Sequence, residues 1–570
     1  MNQDETNRKH TVDYLRRGYQ GIVTEDFKDY LRKWIPLSLL IGLGAGLGAM
    51  VFQWMLLGIW HVCYDVEEIP WYLGLFLPAI GGLLAGLIIS RLSPDSAGGG
   101  TGRVIEAIHH KGGRVPPRSG PYKILVSAIT IGTGGSAGTE GPIMHIGASV
   151  STFFGDRLKL KKGDMRTLAI AGTAAGMSAV FRAPLGAAIY AMEVPYKNDL
   201  EPGAIIPSMI ASVVSYLVFV SLNGYEALFE VPTMDMSLDL IIVIGIIILG
   251  IIVGLAGRLF ISTMHMTEEL TKRSTLPLAI KIMFGGLLVG CIGLFIPEVL
   301  GTSEDIIKAL IEGSVISLGF LIALFAAKLV ATSLTIGSGG SGGVFFPSLL
   351  MGGAVGALFA IGLDLTPIPL FAIAGMGAMM AGVSKTPIAA SVMMAEVVGG
   401  YTVLIPVMVA SSLAYIVTGD QTLYRNQVAR RTFIYDPAAL DNVPVERVMR
   451  GDPVTLAPEM SVEEALRGTA SERHYLYPVV DSDGRAVGVV LREVLENHED
   501  LSSLIGDLMS THYEKTMAGF SAYQAFEEMS SKQISRMLVV SHDDNILLGT
   551  LTRIDIMEYL EHCDDVHHQY

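Results

Sequence analysis

The sequence predicts a polytopic α-helical membrane protein that carries two small α/β units at its C-terminal end. Three observations predict this fold class: apolar runs of membrane-spanning length, an uneven distribution of charge, and an internal repeat of Gly-rich segments. Hydrophobic residues make up 51% of the 570-residue chain and charged residues only 17%, whereas about a quarter of the residues of a soluble domain are charged. The composition therefore disfavours the alternative of a large soluble α/β enzyme.

Apolar runs long enough to cross a bilayer, which takes about 20 residues, begin near Trp34. Such runs cover 34–60, 71–91, 203–222, 238–262, 276–295, 315–336 and 403–418. Shorter, Gly-interrupted runs cover 122–135, 140–155, 167–192, 344–363 and 369–399. Broken helices at membrane depth are tolerated only where protein buries the backbone or where it lines a cavity. Repeated breaks therefore favour a transporter or a channel over a simple anchor.

Charge is divided unevenly along the chain. Residues from Val443 onward include 23 acidic and 10 basic side chains, and they carry most of the net charge of −15. This acidic, water-facing region argues against nucleic acid as a partner, because phosphate binding needs clustered Lys and Arg. Lys and Arg are frequent in 1–33 and 103–123 but absent from 222–236. The positive-inside rule therefore predicts cytoplasmic termini and an external 222–236 loop.

These boundaries predict a multi-pass protein of the plasma membrane, surrounded by the lipid bilayer. The expected parts are a cytosolic N-terminal segment (1–33), a transmembrane domain (34–431), a linker (432–442), two small units (443–497 and 504–560) and a tail (561–570). The Gly-rich segment 98–103 lacks the Lys-Ser/Thr pair of a P-loop. Neither catalytic residues nor a metal-binding cysteine pattern are predicted, so an enzyme is not expected.

The transmembrane domain repeats itself. Residues 134–148 (GGSAGTEGPIMHIGA) match 339–353 (GGSGGVFFPSLLMGG) at an offset of 205. Residues 171–194 match 374–397 at an offset of 203. Paired halves with Gly- and Pro-interrupted helices indicate a transport site at the interface between the repeats.

In each repeat, glycines followed by a proline predict a helix that begins inside the membrane. Gly138 and Gly141 free the backbone, and Pro142 fits the first turn of a helix over 142–155. The N-terminus of such a helix presents unpaired N–H groups and a partial positive charge, so it can bind an anion without a full cation. The copy at 342–347 has the same pattern. Neutral donors suit an anion that must bind and then leave.

The two copies differ where Glu140 aligns with Phe345. A carboxylate at membrane depth is costly and is usually functional. Beside an anion site, an ionised Glu140 would occupy the site and block the path, and a protonated Glu140 would swing away. The alternative is that Glu140 merely satisfies the start of a helix.

Over roughly residues 34–431, these motifs resemble the CLC family of chloride channels and proton-coupled chloride antiporters. GTEGP is similar to the family's G(K/R)EGP motif, and this resemblance assigns the gating role, and a place on the proton pathway, to Glu140. GVFFP is similar to the GxFxP motif, whose backbone amides coordinate the central anion. The resemblance thus implies chloride binding at Gly141, Val344 and Phe345. It also implies the CLC fold, built as an inverted repeat of broken helices, and a homodimer with one pore per subunit.

Two further parts of the anion site follow from the resemblance. Tyr424 matches the family's pore tyrosine, whose hydroxyl donates to the same anion. The family's first motif, GSGIP, has its best match at 99–103, where Gly100 replaces the serine. Thr101 can supply the hydroxyl if the register shifts by one, and Gly102 completes the break. The resemblance assigns Gly100, Thr101, Gly102 and Tyr424 to chloride binding, and the lost serine leaves anion selectivity open.

The proton pathway departs from the family at Glu193. Well-studied bacterial antiporters carry two successive glutamates here, the second being the internal proton acceptor, whereas this chain has Glu193 followed by Val194. Glu193 is either a structural carboxylate or a substitute proton station. Some family antiporters also lack the internal glutamate, so this departure leaves both an antiporter and a channel open.

The two C-terminal units resemble a tandem pair of cystathionine-β-synthase (CBS) domains. The family's nucleotide signature is Gly-h-h-Thr/Ser-x-x-Asp, and the second unit matches it at Gly549, Thr552 and Asp555. The first unit has Leu491 and Val494 in place of the two polar residues. The resemblance therefore implies one site for a regulatory adenine nucleotide (ATP, ADP or AMP) and no other cofactor. A purely structural dimerisation module is the alternative.

The expected function is transmembrane chloride transport gated by Glu140, with chloride and protons as the moving partners. The protein would be either a proton-coupled antiporter or a voltage- or pH-gated channel. Export of fluoride or another anion is an alternative that the lost serine motivates. A nucleotide sensor with a non-conducting membrane anchor is another.

Overall fold

The computed structural model describes residues 3–65, 74–225, 227–229, 239–314, 316–429, 440, 443–469, 474–498, 500–532, 534–556 and 559, with side chains from Tyr30 onward except at position 162. The expected tail (561–570), most of the expected linker (432–442) and much of the predicted external loop (222–236) lie outside the described residues. Contacts divide the chain into two compact units, Met1–Arg431 and Thr432–Tyr570.

The first unit is a bundle of long and short helices. In its described part these are α1 (Gln3–Trp60), α2 (Leu77–Leu92), α3 (Gly100–His110), α4 (Ser119–Gly132), α5 (Glu140–Arg157), α6 (Lys162–Phe181), α7 (Pro184–Glu193), α8 (Ile205–Asn223), α9 (Leu240–Arg273), α10 (Leu278–Gly293), α11 (Glu304–Ile311), α12 (Leu318–Gly337), α13 (Phe345–Gly362), α14 (Ile368–Ser384), α15 (Pro387–Val397) and α16 (Leu404–Thr418).

Among the described residues, six helical stretches are long and apolar enough to cross a membrane. They are Tyr30–Asp65, Pro202–Asn223, Leu240–Arg273, Leu318–Gly337, Phe345–Gly362 and Tyr401–Thr418. Large apolar side chains of α9, such as Leu255 and Leu259, are more than half exposed in the single chain. Such apolar surface suits a lipid environment, because water would oppose its exposure.

The Gly-rich runs form shorter helices that begin inside the unit. The predicted helix over 142–155 begins two residues earlier, at Glu140, and extends to Arg157. The runs 167–192 and 369–399 each divide into two helices at a residue with positive φ, Arg182 in the first and Lys385 in the second. Both residues are followed within two positions by the proline that starts the next helix. The interruption therefore has the same local cause in both repeats.

A local twofold axis relates the two repeats. At its centre, Gly138 and Gly343 pair in antiparallel fashion, and each amide donates to the other's carbonyl at 2.8 Å. These two glycines are 205 positions apart, so each is the repeat equivalent of the other. A contact between equivalent residues in an antiparallel pair is what an inverted repeat requires at its axis.

Buried hydroxyl contacts follow the same symmetry. The Ser127 hydroxyl contacts that of Ser341 at 2.8 Å, and the Ser136 hydroxyl contacts that of Thr332 at 3.0 Å. In the alignment of the two repeats, Ser127 corresponds to Thr332 and Ser136 corresponds to Ser341. Each contact is therefore the repeat equivalent of the other. Both pairs lie beside the Gly-rich breaks and fix one repeat against the other.

A pair of fully buried lysines also occupies equivalent positions in the two repeats. Lys123 Nζ donates to the Gly98 carbonyl at 2.7 Å, and Lys328 Nζ donates to the Gly301 carbonyl at 3.2 Å. Each ammonium group therefore holds the loop that precedes a short helix, α3 in one repeat and α11 in the other. A buried charge requires such hydrogen bonds, because desolvation would otherwise oppose folding.

The second unit contains two small sheets. Its described strands are β1 (Arg450–Gly451), β2 (Leu476–Val480), β3 (Ala486–Leu491), β4 (Lys515–Met517), β5 (Arg536–Val540) and β6 (Leu547–Thr552), in the orders β1-β6-β5-β4 and β2-β3. Its helices are α17 (Val462–Gly468), α18 (Arg492–Asn497), α19 (Ile505–Leu508) and α20 (Ala522–Ser531). β4 and β5 run parallel, and the other pairs are antiparallel. Ser461 and Ser521 begin α17 and α20 with capping boxes, which satisfy backbone amides that a helix start leaves unpaired.

Candidate anion site

The three Gly-rich breaks meet at one place in the first unit, where α3, α5 and α13 begin. The break before α3 bonds to the second repeat, because the Gly98 amide donates to the Gly339 carbonyl at 3.1 Å. The approach of α3 to α5 is also close, since a Cβ atom on Gly100 would overlap the Gly141 carbonyl. Three helix N-termini therefore converge, each with the partial positive charge of its unpaired amides.

Glu140 occupies the centre of this convergence. Its Oε1 atom accepts hydrogen bonds from the amides of Val344 and Phe345, the second at 2.7 Å. The amides of Glu140 itself and of Gly141 also face the carboxylate, which is completely buried. The carboxylate of one repeat thus lies on the helix start of the other, and a buried carboxylate needs such donors. A carboxylate here holds the position that a free anion would take.

Tyr424, the predicted pore tyrosine, lies beside the first break. Its side chain lies close to those of Thr101 and Tyr190, and all three residues are buried. Thr101, not Gly100, is therefore the residue of this break that brings a hydroxyl to Tyr424. Gly102 lies farther along α3, where its carbonyl accepts from Asn426 Nδ2 at 3.2 Å.

Tyr190 is a residue that the sequence did not single out. It lies in α7, one turn before Glu193, and its side chain lies close to those of Tyr424 and Ser384. Tyr190 belongs to no sequence motif. The only signal for it in the sequence is a polar hydroxyl within an otherwise apolar helix. A buried tyrosine hydroxyl usually has a polar partner.

Glu193 lies at the start of a helix from the other repeat. Its carboxylate accepts from the amides of Ile388 at 3.2 Å and Ala389 at 2.7 Å, in the first turn of α15. The equivalent Glu396 accepts from the amides of Leu185 at 3.1 Å and Gly186 at 2.6 Å, in the first turn of α7. The two glutamates thus cap each other's helices reciprocally. This geometry supports the structural interpretation of Glu193 over the proton station.

We expect Glu193→Gln and Glu396→Gln to lower the thermal stability of the purified protein by similar amounts. Each substitution replaces a carboxylate that receives two amide hydrogen bonds with a neutral group, which binds a helix N-terminus less strongly. The expected loss is about 1–2 kcal/mol for each variant. Thermal unfolding in detergent measures it. A Glu193→Gln variant that is as stable as the wild type, but has lost proton coupling, would instead identify Glu193 as a proton station.

The nucleotide signature of the second unit is engaged in contacts of its own. Thr552 and Asp555 form a reciprocal capping arrangement, because the Thr552 amide donates to Asp555 Oδ2 at 2.8 Å and the Asp555 amide donates to the Thr552 hydroxyl at 3.1 Å. Asp555 Oδ1 accepts from Arg450 Nε at 2.6 Å. Gly549 packs against the Arg450 backbone, where a Cβ atom would be too close. Thr552 and Asp555 therefore have a structural role, and a ribose would compete with Arg450 for the carboxylate.

Comparison with known proteins places both units in families. The model of the voltage gated chloride channel family matches residues 81–419, and the CBS domain model matches residues 445–495 and 505–562. The H(+)/Cl(-) exchange transporter ClcA of Vibrio cholerae is 29% identical over 427 residues, which cover 70% of this chain and 89% of that protein. The chloride channel protein CLC-e of Arabidopsis thaliana is 28% identical over 522 residues, which cover 86% of this chain and 69% of that protein.

The fold of this chain is also similar to that of a solved CLC structure. The crystal structure of a eukaryotic CLC transporter aligns with a TM-score of 0.61 and 19% identity, and the alignment covers 92% of this chain and 98% of that one. The predictions of the CLC fold and of tandem CBS domains are confirmed. The chain belongs to the voltage-gated chloride channel (CLC) family, as a multi-pass membrane protein with two C-terminal CBS domains.

Proposed function

We propose that this protein carries chloride across the membrane and that Glu140 is its gate. One observation supports this proposal most directly: the Glu140 carboxylate accepts hydrogen bonds from the amides of Val344 and Phe345. At this point the N-terminus of α5, from one repeat, meets the N-terminus of α13, from the other. The names of the Vibrio cholerae and Arabidopsis thaliana relatives, an exchange transporter and a chloride channel, agree with it. Transport, and no enzymatic reaction, is the proposed activity.

In the proposed mechanism, chloride and the Glu140 carboxylate compete for the same amides. The ionised carboxylate is held by charge-assisted hydrogen bonds from Val344 and Phe345, which are stronger than bonds to a neutral group. Protonation removes the charge of Glu140, so its hydrogen bonds to the amides become weaker and chloride takes its place. Gly141, Thr101 and Tyr424 complete the surroundings of the anion. The path is therefore open only while Glu140 is protonated or displaced.

Because Glu140 must gain a proton to leave the amides, we propose that chloride movement is coupled to proton movement in the opposite direction. The test is the reversal potential of the purified protein in liposomes under combined chloride and proton gradients. A value displaced from the chloride equilibrium potential is expected. A value equal to it would mean a channel, and the absence of chloride flux would refute transport and favour a sensor with a membrane anchor.

Chloride, not fluoride, is the proposed substrate. The lost serine of the first motif was the reason to consider fluoride, but Thr101 lies close to Tyr424 and supplies a hydroxyl-bearing side chain in this break. Flux of the two anions, measured in the same liposomes, compares the two proposals. Fluoride flux that greatly exceeds chloride flux would overturn this assignment.

We also propose a homodimer with one anion site per subunit, in the plasma membrane and with both termini in the cytoplasm. Membership of the CLC family supports the dimer, and the distribution of Lys and Arg supports the orientation. Chemical cross-linking in membranes and protease accessibility of terminal tags test the two statements. A monomer, or a tag exposed on the outside, would contradict them.

Gly549, Thr552 and Asp555 are proposed to bind an adenine nucleotide. We expect Asp555→Asn to weaken the binding of ATP, ADP or AMP by at least about tenfold, because a carboxylate accepts from hydroxyls more strongly than an amide does. The substitution should also cost about 1–2 kcal/mol of stability in the second unit, since the carboxylate caps a helix start. Calorimetry on the full chain measures binding. Asp543→Asn, at an almost fully exposed carboxylate, is the control, and unchanged affinity in Asp555→Asn would refute the site.

A further inference from the structure

The segment that carries Tyr424 has no regular secondary structure. Residues 419–427 follow α16 and belong to no helix or strand, yet Thr422, Tyr424 and Gln427 are each no more than 7% exposed. Without a helix or strand to fix the backbone, the position of Tyr424 depends on the hydrogen bonds of the segment itself. Several of these hydrogen bonds converge on the side chain of Gln427.

The Gln427 carboxamide caps the C-terminal ends of two helices, one from each repeat. Its Nε2 atom donates to the carbonyl of Val194, directly after α7, and to the carbonyl of Ser384, the last residue of α14, both at 2.7 Å. Carbonyl groups at the end of a helix have no partner within that helix. The two amide protons match the two carbonyl acceptors, and this match determines which way the amide faces, because its oxygen would be repelled by both carbonyls.

The oxygen of the same carboxamide holds the backbone of Tyr424. Gln427 Oε1 accepts from the Thr422 hydroxyl, and that hydroxyl accepts from the backbone amide of Tyr424 at 3.2 Å. The carbonyl of Tyr424 accepts from the backbone amide of Gln427 at 3.0 Å. Both backbone polar groups of Tyr424 are therefore bonded to Gln427, one directly and the other through Thr422.

Other hydrogen bonds hold the segment but do not involve Tyr424. The Leu423 amide donates to the Val383 carbonyl at 3.0 Å, and Asn426 Nδ2 donates to the Gly102 carbonyl at 3.2 Å. The segment should therefore stay attached to α14 and α3 when the Gln427 carboxamide is removed. Tyr424, in contrast, would lose the support of its own backbone.

We infer that Gln427 is a positioning residue that holds Tyr424 at the anion site by fixing the segment to helix ends of both repeats. This inference rests on the proposed function, because that function assigns Tyr424 to the surroundings of the anion. A displacement of about 1 Å takes a donor outside the normal length of a hydrogen bond. Loss of the Gln427 carboxamide would therefore weaken anion binding without a change in any residue that faces the anion.

Gln427→Met is expected to weaken chloride binding by at least about tenfold, as expected for the loss of one hydrogen bond to a charged group. Methionine has the length of glutamine, but it has no proton for the two helix ends and no oxygen for Thr422. Isothermal titration of the detergent-purified full chain with chloride measures the affinity. Because the amides that hold Glu140 are unchanged, chloride flux in liposomes should keep the pH dependence of the wild type.

A Tyr424→Phe background separates positioning from a general loss of packing. If Gln427 acts through the Tyr424 hydroxyl, the two substitutions should not be additive. Gln427→Met should then weaken chloride binding by less than about twofold in a protein that already lacks this hydroxyl, well below the tenfold loss expected in the wild-type background. A packing defect would weaken binding in both backgrounds to the same extent.

Thr422 provides a second, milder test. Thr422→Val keeps the shape of the side chain but removes the hydroxyl that joins the Tyr424 amide to Gln427 Oε1, so chloride binding should weaken. Thr422→Ser keeps the hydroxyl and loses only a methyl group, and it should bind chloride more tightly than Thr422→Val does. This pair decides the inference if Gln427→Met does not fold.

Gln421→Met is the matched control, because it makes the same change at an exposed glutamine of the same segment. Chloride affinity in this control should equal that of the wild type. Wild-type affinity in Gln427→Met would overturn the inference, as would equal affinities of Thr422→Val and Thr422→Ser or a full loss that persists in the Tyr424→Phe background. A wild-type protein that moves no chloride in liposomes would refute the proposed function, whatever the affinities of the variants.

Discussion

Replacing Glu140 with glutamine is expected to abolish proton coupling and to leave a chloride flux that no longer depends on pH. Glutamine has the shape of glutamate but is never ionised, so its oxygen accepts from Val344 and Phe345 without charge assistance. Hydrogen bonds to an ionised group are roughly twice as strong as neutral ones. Chloride would therefore displace the side chain at every pH, and the path would stay open.

The sign of the wild-type pH dependence follows from the same competition. Acid on the accessible side protonates Glu140 and raises chloride flux, and alkali restores the carboxylate and lowers it. Parallel recordings of chloride efflux and proton uptake by liposomes measure both ions. Glu396→Gln is the control, because it also removes a carboxylate that accepts from two amides at a helix start, but these amides belong to α7 and not to the start of α13, which holds Glu140. Glu140→Gln with wild-type pH dependence would refute the gate.

Restoring the serine of the family's first motif, by Gly100→Ser, is expected to reduce transport sharply. The sequence alone suggests that this change repairs a lost anion ligand. In the structure, a Cβ atom at Gly100 would overlap the Gly141 carbonyl, so α3 and α5 would have to move apart at the anion site. Overpacking of this kind costs typically about 1–3 kcal/mol, and here the displaced backbone belongs to the site.

Gly362→Ser is the matched control for this prediction. Gly362 is the last residue of α13, far along the chain from the start of that helix at the anion site, and a Cβ atom there would meet open space within 4 Å. This variant should retain flux close to that of the wild type, whereas Gly100→Ser should reduce flux by at least about tenfold, which corresponds to roughly 1.4 kcal/mol. Initial rates of chloride efflux compare the two. An active Gly100→Ser protein would show that the helices can separate without harm.

The breaks and the gate could be predicted because their signals are local. Glycine before proline marks a helix start within a short stretch, and the repeat made Glu140 conspicuous against Phe345. Even so, the helix begins at Glu140 itself, two residues before the predicted start. Glycine and proline restrict where a helix can start, but they do not fix its first residue.

The reciprocal caps and the approach of Tyr190 to Tyr424 could not be predicted, because they bring together residues far apart in sequence. Tyr190 and Tyr424 are separated by more than 200 positions, and neither the apolar pattern of α7 nor any motif indicates that they lie close together. The alignment of the repeats pairs Glu193 with Glu396. It does not show that each carboxylate caps the helix of the other repeat, because that contact depends on the packing of α7 against α15. Lys123 and Lys328 also align, yet the residues around them differ, so they did not stand out.

The signature of the second unit illustrates a different difficulty. Thr552 and Asp555 match a nucleotide motif and also match the spacing of a capping box. One pair of residues satisfies both patterns, and only the structure reveals that the capping contacts form and that Arg450 also holds Asp555. Binding measurements, and not the motif, decide whether the pair has both roles.

The repeats that pair at Gly138 and Gly343 are alike in backbone, yet only one of them carries a carboxylate beside this pairing. Phe345 stands where the other repeat has Glu140, so the surroundings of the proposed gate differ on its two sides. The two faces of the membrane are therefore not equivalent to this protein. Molecules inserted in opposite orientations are therefore expected to respond to a one-sided pH change to different extents.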